Sequence, residues 1–241
     1  MYGHDIRSDG GKVQFSVSCD QFEKEFTLAM HGIFNVENAL AAIAVAYACQ
    51  IPPEAMELGL STVQVEGRME EYCSRDQRLK VIVDYAHNGM SFEKLFDSVK
   101  TEYPDHKIVS VFGCPGGKAL NRREDMGLAA GNACSRIYLT SDDPGTENIQ
   151  DIFKAIGKAV ERTGCPYQCI EDRETAIKRV VEEAESHTVV VVLGKGRETS
   201  QKIGCERYAC RSDSEIVKEC IERYDREHFD CKIKRNKACV F

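Results

Sequence analysis

Residues 12–17, Lys-Val-Gln-Phe-Ser-Val, alternate polar and apolar side chains, the period of a strand with one covered face. Glu25-Phe26-Thr27-Leu28 repeats the alternation and is expected to pair with it as a hairpin. The pattern then changes. Val36 to Cys49 is rich in alanine, with small apolar residues on most sides of a helical projection, and predicts a buried helix. Pro52-Pro53 restarts a second helix over about 53–63, with proline in the tolerated first turn.

After Glu66-Gly67-Arg68-Met69-Glu70 the texture becomes strand, helix, strand, helix, the signature of a parallel sheet covered on both faces. Short apolar runs predict strands near 80–84, 108–112, 136–140, 167–170 and 188–193. Longer segments with helical periodicity fall near 91–101, 123–134, 148–162, 173–185 and 213–224. The clearest run is Thr188-Val189-Val190-Val191-Val192-Leu193, which fits a strand buried on both faces. The expected fold is α/β, a mostly parallel doubly wound sheet over residues 68–226, preceded by a small piece at 1–67. A hairpin and two helices supply too little sheet to cover an alanine-rich helix, so a larger partner or upstream sequence is implied. Residues 227–241, with Lys232, Lys234, Arg235 and Lys237, show no period and are expected to fray.

Composition narrows the function classes. A chain of 241 residues, 42% hydrophobic and 29% charged, is long and apolar enough to bury a core. Its formal charge of −7 argues against a nucleic-acid partner, which needs a clustered basic surface. No apolar run approaches the roughly 20 residues of a membrane span. Met1-Tyr2-Gly3-His4-Asp5 also lacks the charged-then-apolar layout of a secretory signal, so a cytoplasmic protein with no membrane partner is expected. Twelve cysteines are scattered with no C-x-x-C pair and no His-containing zinc pattern, and read as free thiols; no metal ligands are assigned.

Candidate chemistry lies at the strand ends, where open α/β sheets collect ligands. The first predicted strand delivers Asp84 and His87. The second runs into Gly113-Cys114-Pro115-Gly116-Gly117-Lys118, whose glycines let backbone N–H groups approach an anion. The third ends in Thr140-Ser141-Asp142-Asp143-Pro144-Gly145, and the long apolar strand in Gly194-Lys195-Gly196-Arg197-Glu198. Each has a plain reading too. Asp84 can cap the next helix, His87 and Arg68 can be surface residues, Asp142 to Gly145 can be a turn, and Asn35 and Asn38 can belong to a helix N-cap. Neither a G-x-x-x-x-G-K-[ST] phosphate loop nor a G-x-G-x-x-G fingerprint is present.

Taken in order, "GIFNVENALAA", "VEGRMEEY", "VDYAHN", "VFGCPGGKALNRREDMG", "TSDDPGTE" and "GKGRETSQ" resemble the carboxyl-terminal half of the Mur ligase family, and within it the branch that adds the third residue of the peptidoglycan peptide. The resemblance implies the end of a central ATPase domain followed by a complete C-terminal domain. It also implies ATP with Mg2+ as cofactors, and UDP-muramyl dipeptide and a diamino acid as substrates joined through an acyl phosphate. By position, Asn35 and Asn38 match the adenine-binding amides, and Arg68 a γ-phosphate arginine with a catalytic role. Asp84 matches the acid on the ribose hydroxyls, and His87 a catalytic histidine near the nucleotide. Arg123 is expected on the amino acid's α-carboxylate, with Asp142, Asp143, Gly194 and Glu198 lining its side-chain pocket.

The chain departs from one family pattern. Members that use meso-diaminopimelate resemble one another in an Asp-Asn-Pro-Arg stretch, and here it is Asp142-Asp143-Pro144-Gly145. A cation is lost and an anion gained, which favours a distal ammonium, as in lysine, over a distal carboxylate. The family's phosphate loop, magnesium-binding acids and UDP-sugar domain would lie upstream of Met1. The chain is therefore expected to be inactive alone, whether as a fragment, a split gene product with a separately encoded N-terminal half, or a decayed copy. The competing reading is a noncatalytic module that binds a nucleotide or an amino acid.

Overall fold

The computed structural model describes residues 1–9 and 11–230. They form two compact units, Met1–Met69 with Lys94–Pro104, and Glu70–Glu93 with the residues from Asp105 onward.

In the first unit, β1 (Tyr2–Asp9), β2 (Lys12–Ser18) and β3 (Glu23–Leu28) form an antiparallel sheet in that order, followed by α1 (Asn35–Ala48) and α2 (Pro53–Thr62). Alternation along the strands buries Val13, Phe15 and Val17 of β2 with Phe26 and Leu28 of β3. Against them pack Val36, Ala39 and Ile43 of α1 and Met56 of α2. The expected hairpin is present as β2 with β3, and the polar segment Tyr2–Asp9 adds a third strand along the edge of β2 through a bulge between His4 and Arg7. One expectation is corrected. The alanine-rich helix is covered on one side only: Asn35, Val36, Ala39 and Ile43 are buried, whereas Ala41, Ala42, Ala44 and Val45 are exposed. A sheet of three strands has one face to offer it.

The second unit is built on six strands in the order β4-β5-β9-β6-β7-β8. They are β4 (Glu70–Cys73), β5 (Leu79–Asp84), β6 (Lys107–Phe112), β7 (Arg136–Thr140), β8 (Tyr167–Ile170) and β9 (Thr188–Leu193). The edge strand β4 is antiparallel to β5, and the other five are mutually parallel. All six residues of β9 are buried, as a central strand with helices on both faces requires. Its helices are α4 (Asn121–Ala133), α5 (Ile149–Glu161), α6 (Arg173–Glu182) and α7 (Asp213–Asp225), with the start of α3 (Gly89–Glu102), whose residues from Lys94 belong to the first unit.

Helices α6 and α7 cover one face, where Val180, Ile216 and Val217 meet Val81, Val83, Val190 and Val192. Strand residues one step along point the other way, so Phe112 meets Phe92 of α3 edge-on at 5.0 Å. The return from β8 to β9, carried by α6, places β9 between β5 and β6. Such a reversal leaves a crevice beyond the carboxyl ends of the strands.

The five predicted parallel strands appear within one residue of their expected bounds. An exposed hairpin, β10 (Ser200–Ile203) with β11 (Glu206–Ala209), was not expected. Arg226–Asp230 continues α7 as a π-helical turn, so the start of the segment expected to fray is ordered; residues 231–241 lie outside the described residues. The ten cysteines among the described residues form no disulfide with one another. No helix among them is long and apolar enough to cross a membrane.

Candidate functional site

Two loops meet at the carboxyl edge of the six-stranded sheet. The loop after β6 approaches the loop after β7 so closely that a Cβ on Gly113 would lie 2.1 Å from the Thr140 carbonyl oxygen, and one on Gly116 1.8 Å from that of Pro144. Gly116 N–H donates to the Asp143 carbonyl at 2.9 Å. These glycines are fixed by loop-to-loop packing. The hairpin β10–β11 closes the same edge. Gly145 N–H donates to the Lys202 carbonyl at 3.1 Å, Gly204 N–H to the Gly145 carbonyl at 2.6 Å, and the Gln201 amide to the Asp142 carbonyl at 2.6 Å.

Acids converge here around one ammonium. Lys195, 2% exposed, donates to Asp143 Oδ1 at 2.9 Å and Glu198 Oε2 at 2.8 Å. Burial works against its charge, but the Glu198 and Asp143 hydrogen bonds outweigh it and raise its pKa. The other Glu198 oxygen accepts from Tyr85 Oη at 2.9 Å, a bond that, with burial, pushes the phenol upward. Burial alone would raise Asp143, yet the Lys202 N–H and the Lys195 ammonium hold it below the usual carboxylate range.

Asp142 differs from its neighbours. Its half-buried carboxylate has no Lys or Arg within ion-pair distance among the described residues, and burial lifts its pKa against the more distant pull of Arg173 and Lys195. A Cβ on Gly194, which sits at φ +111°, would come within 3.0 Å of Asp142 Oδ2. Glycine at this position therefore spares the carboxylate a side chain at close contact.

Behind the acids, Arg173 and Asp213 form a buried bidentate pair, with both N···O distances 2.7 Å. Arg173 also donates to the carbonyls of Ser141 at 3.2 Å and Leu193 at 2.8 Å, while Asp213 accepts from Gly196 N–H at 3.1 Å. One ion pair thus satisfies the ends of β7 and β9 and the loop after β9. Sequence reasoning missed this pair and Lys195. Their partners lie 40 and 52 residues away, a separation no local pattern encodes.

Asp142, Asp143, Gly194 and Glu198 lie together at this edge. Arg123 does not face an open pocket. It is 5% exposed, and its Nη1 and Nη2 donate to the two oxygens of Glu147, each at 2.7 Å, so its bidentate end is spent inside the protein. The Gly117 N–H donates to the same carboxylate at 2.7 Å, so the anion this glycine loop meets belongs to the chain. The Arg123 and Gly117 hydrogen bonds take the Glu147 pKa down to about 2. Asp84 accepts from Ala86 N–H at 2.7 Å, closing a turn rather than capping α3. His87 donates from Nδ1 to the Tyr85 carbonyl at 2.8 Å.

The remaining candidates belong to the first unit. Asn35 is the first residue of α1 and does not cap it. Its amide donates to the His31 carbonyl at 2.7 Å and accepts from the exposed Asn38 amide at 3.0 Å. Arg68 is exposed, next to Met69 at φ +47°.

Strand order and two-faced helix coverage define a doubly wound α/β domain. Residues 67–196 match the family described as "Mur ligase, glutamate ligase domain". The chain belongs to the Mur ligase family.

It is 36% identical over 218 residues to the UDP-N-acetylmuramoyl-L-alanyl-D-glutamate–2,6-diaminopimelate ligase of Caldanaerobacter subterraneus subsp. tengcongensis, covering 90% of this chain and 44% of the relative. To the UDP-N-acetylmuramyl-tripeptide synthetase of Lactobacillus delbrueckii subsp. bulgaricus it is 34% identical over 202 residues, 84% of this chain and 39% of the relative. A solved UDP-N-acetylmuramoyl-L-alanyl-D-glutamate–2,6-diaminopimelate ligase matches with a TM-score of 0.62 at 29% identity, covering 92% of this chain and 45% of that one. The UDP-N-acetylmuramate–alanine ligase of Thermotoga maritima, at 18% identity, shares the fold with a TM-score of 0.68, over 93% of this chain and 46% of its own. The chain spans less than half the length of these relatives.

Proposed function

We propose that the chain is the C-terminal portion of a cytoplasmic, ATP-dependent ligase that adds the third residue to UDP-N-acetylmuramoyl-L-Ala-D-Glu, with a lysine-like diamine favoured over meso-diaminopimelate. The observation that carries the preference is Asp142, a carboxylate with no Lys or Arg within ion-pair distance among the described residues, beside two acids already shared by Lys195. Counting Asp142, Asp143 and Glu198 against Lys195 and Arg207, whose Nη1 lies 3.5 Å from Asp143, leaves one negative charge unmatched. A single distal ammonium balances it, whereas a distal carboxylate would add to it.

ATP with Mg2+ would supply the phosphoryl group that turns the dipeptide carboxylate into an acyl phosphate. The diamino acid's α-amine then forms the amide and displaces inorganic phosphate. In this reading Asn35 and Asn38 serve the adenine, Asp84 the ribose, Arg68 the γ-phosphate and His87 the nucleotide's neighbourhood. Residues 1–67 serve as the end of the central ATP-binding domain and 68–226 as the C-terminal domain. The phosphate loop and metal-binding acids would come from an N-terminal half, encoded upstream or separately. Without that half no turnover is expected, since positioning the γ-phosphate supplies most of the catalysis in phosphoryl transfer.

The test is a substrate panel on the chain joined with such a half. Incorporation of L-lysine in preference to meso-diaminopimelate is expected, and the reverse preference overturns the reading. The second reading is a noncatalytic module that binds a nucleotide or an amino acid. Calorimetric binding of lysine or ATP with no turnover in the joined protein would establish it.

A further inference from the structure

The contact between Arg123 and Glu147 is built as a carboxylate-binding site would be. Glu147 receives both ends of the guanidinium fork and a backbone N–H from the glycine loop, all at 2.7 Å. This is the donor set expected of a pocket for a free α-carboxylate. What remains of Arg123 cannot accept another one: Nε is sealed from solvent without a partner, and Nη2 also donates to the Pro115 carbonyl at 3.2 Å. Burial shows which group is in front. The Arg123 side chain is 6% exposed and that of Glu147 25%, so the carboxylate stands on the solvent side. Next to it, Gly117 has nothing within 4 Å of where a Cβ would stand, so space lies open before the contact.

We propose that Glu147 is a resident carboxylate occupying the α-carboxylate subsite, and that an incoming amino acid must exchange with it to reach Arg123. The inference rests on the reading that this edge takes an amino acid, and it adds a gate to that reading. The exchange breaks no covalent bond. One carboxylate replaces another on the same three donors, so the intramolecular one weakens apparent ligand affinity by the fraction of time it holds the site.

Calorimetry on the whole 241-residue chain separates the outcomes. The probes are L-lysine and 1,5-diaminopentane, which keeps both amines and lacks the carboxylate. Glu147→Gln presents one acceptor oxygen and an amide NH2 facing a guanidinium, and holds the site poorly. The expected result is about tenfold tighter L-lysine binding with diaminopentane unchanged, about 1.4 kcal/mol by the tenfold conversion. Glu147→Asp, which keeps the charge on a shorter arm, should shift lysine in the same direction and serves if the Gln variant melts. Lysine affinity that stays the same or weakens in the folded variants overturns the gate and makes Glu147 a structural brace for Arg123. No lysine binding to the parent or either folded variant overturns the amino-acid reading of this edge, and the gate with it.

Discussion

Asp142 sits in an environment that opposes its charged form. Burial raises its pKa, so the ionised form destabilises the folded chain at neutral pH relative to an uncharged side chain of the same shape. Asp142→Asn should therefore stabilise the protein, by about 1 kcal/mol or roughly 2–4 °C in Tm for a chain of this size. L-lysine binding should weaken about tenfold in the same variant, measured by calorimetry beside a thermal melt. A variant that loses stability as well as binding would mark Asp142 as a fold residue. Glu147 has the opposite sign. Its pKa in the fold is about 2 against an ordinary 4.5, so its contribution is fully present above about 4.5 and disappears as pH falls toward 2. Acid unfolding followed by circular dichroism should fall more steeply across that window in the parent than in Glu147→Gln. The sequence shows the acids themselves at the strand ends. It does not show that Lys195 answers Asp143 or that Glu147 answers Arg123, because these pairs meet only after the three parallel strands β9, β6 and β7 are in register.

Among the elements, those with a strong internal period were legible and those on exposed edges were not. β9 is a nearly continuous apolar run, and β5 and β6 are apolar apart from Lys80, Asp84, Lys107 and Ser110, because they lie inside a sheet covered on both faces. β1, β4 and the hairpin β10–β11 bury no alternating face and leave no apolar period to read. The hairpin did carry one signal, Gly204 at the first central position of a two-residue turn with φ +62°, and it is what places Gln201 and Lys202 against Asp142 and Asp143. The two adjacent glycines of the loop after β6 read alike in sequence, and the fold gives them different jobs. A Cβ at Gly116 collides with the Pro144 carbonyl at 1.8 Å, whereas Gly117 has open space and φ +68°. Gly116→Ala should cost about 3 kcal/mol or more, because two backbone segments must separate. Gly117→Ala should cost only about 1 kcal/mol, the strain of a left-handed alanine. Urea unfolding of the two variants measures the difference. Equal losses would mean the loops are not in contact.

At the scale of the molecule, one buried ion pair joins the parts of the six-stranded unit that carry the site. Arg173 opens α6 and Asp213 opens α7, and between them they hold the carbonyls at the ends of β7 and β9 and the amide of Gly196. Burial works against the Arg173 charge, but Asp213 and the more distant Asp142 outweigh it and keep its pKa raised. Such a pair stabilises little against an apolar replacement of both partners, yet removing one partner strands a charge out of water. Arg173→Met should lower unfolding stability by about 3–5 kcal/mol, while Arg173→Met combined with Asp213→Leu should recover a large part of that loss. The double variant cannot satisfy the Ser141 and Leu193 carbonyls, so its acid loops should lose their register even where the fold survives. Denaturant titration reads the stability and lysine calorimetry reads the loops. A double variant as unstable as the single one would show that the pair acts through its backbone contacts. One that regains stability but not lysine affinity would show that the ion pair is kept for the geometry of the edge, with the apolar core and central β9 enough to hold the sheet together.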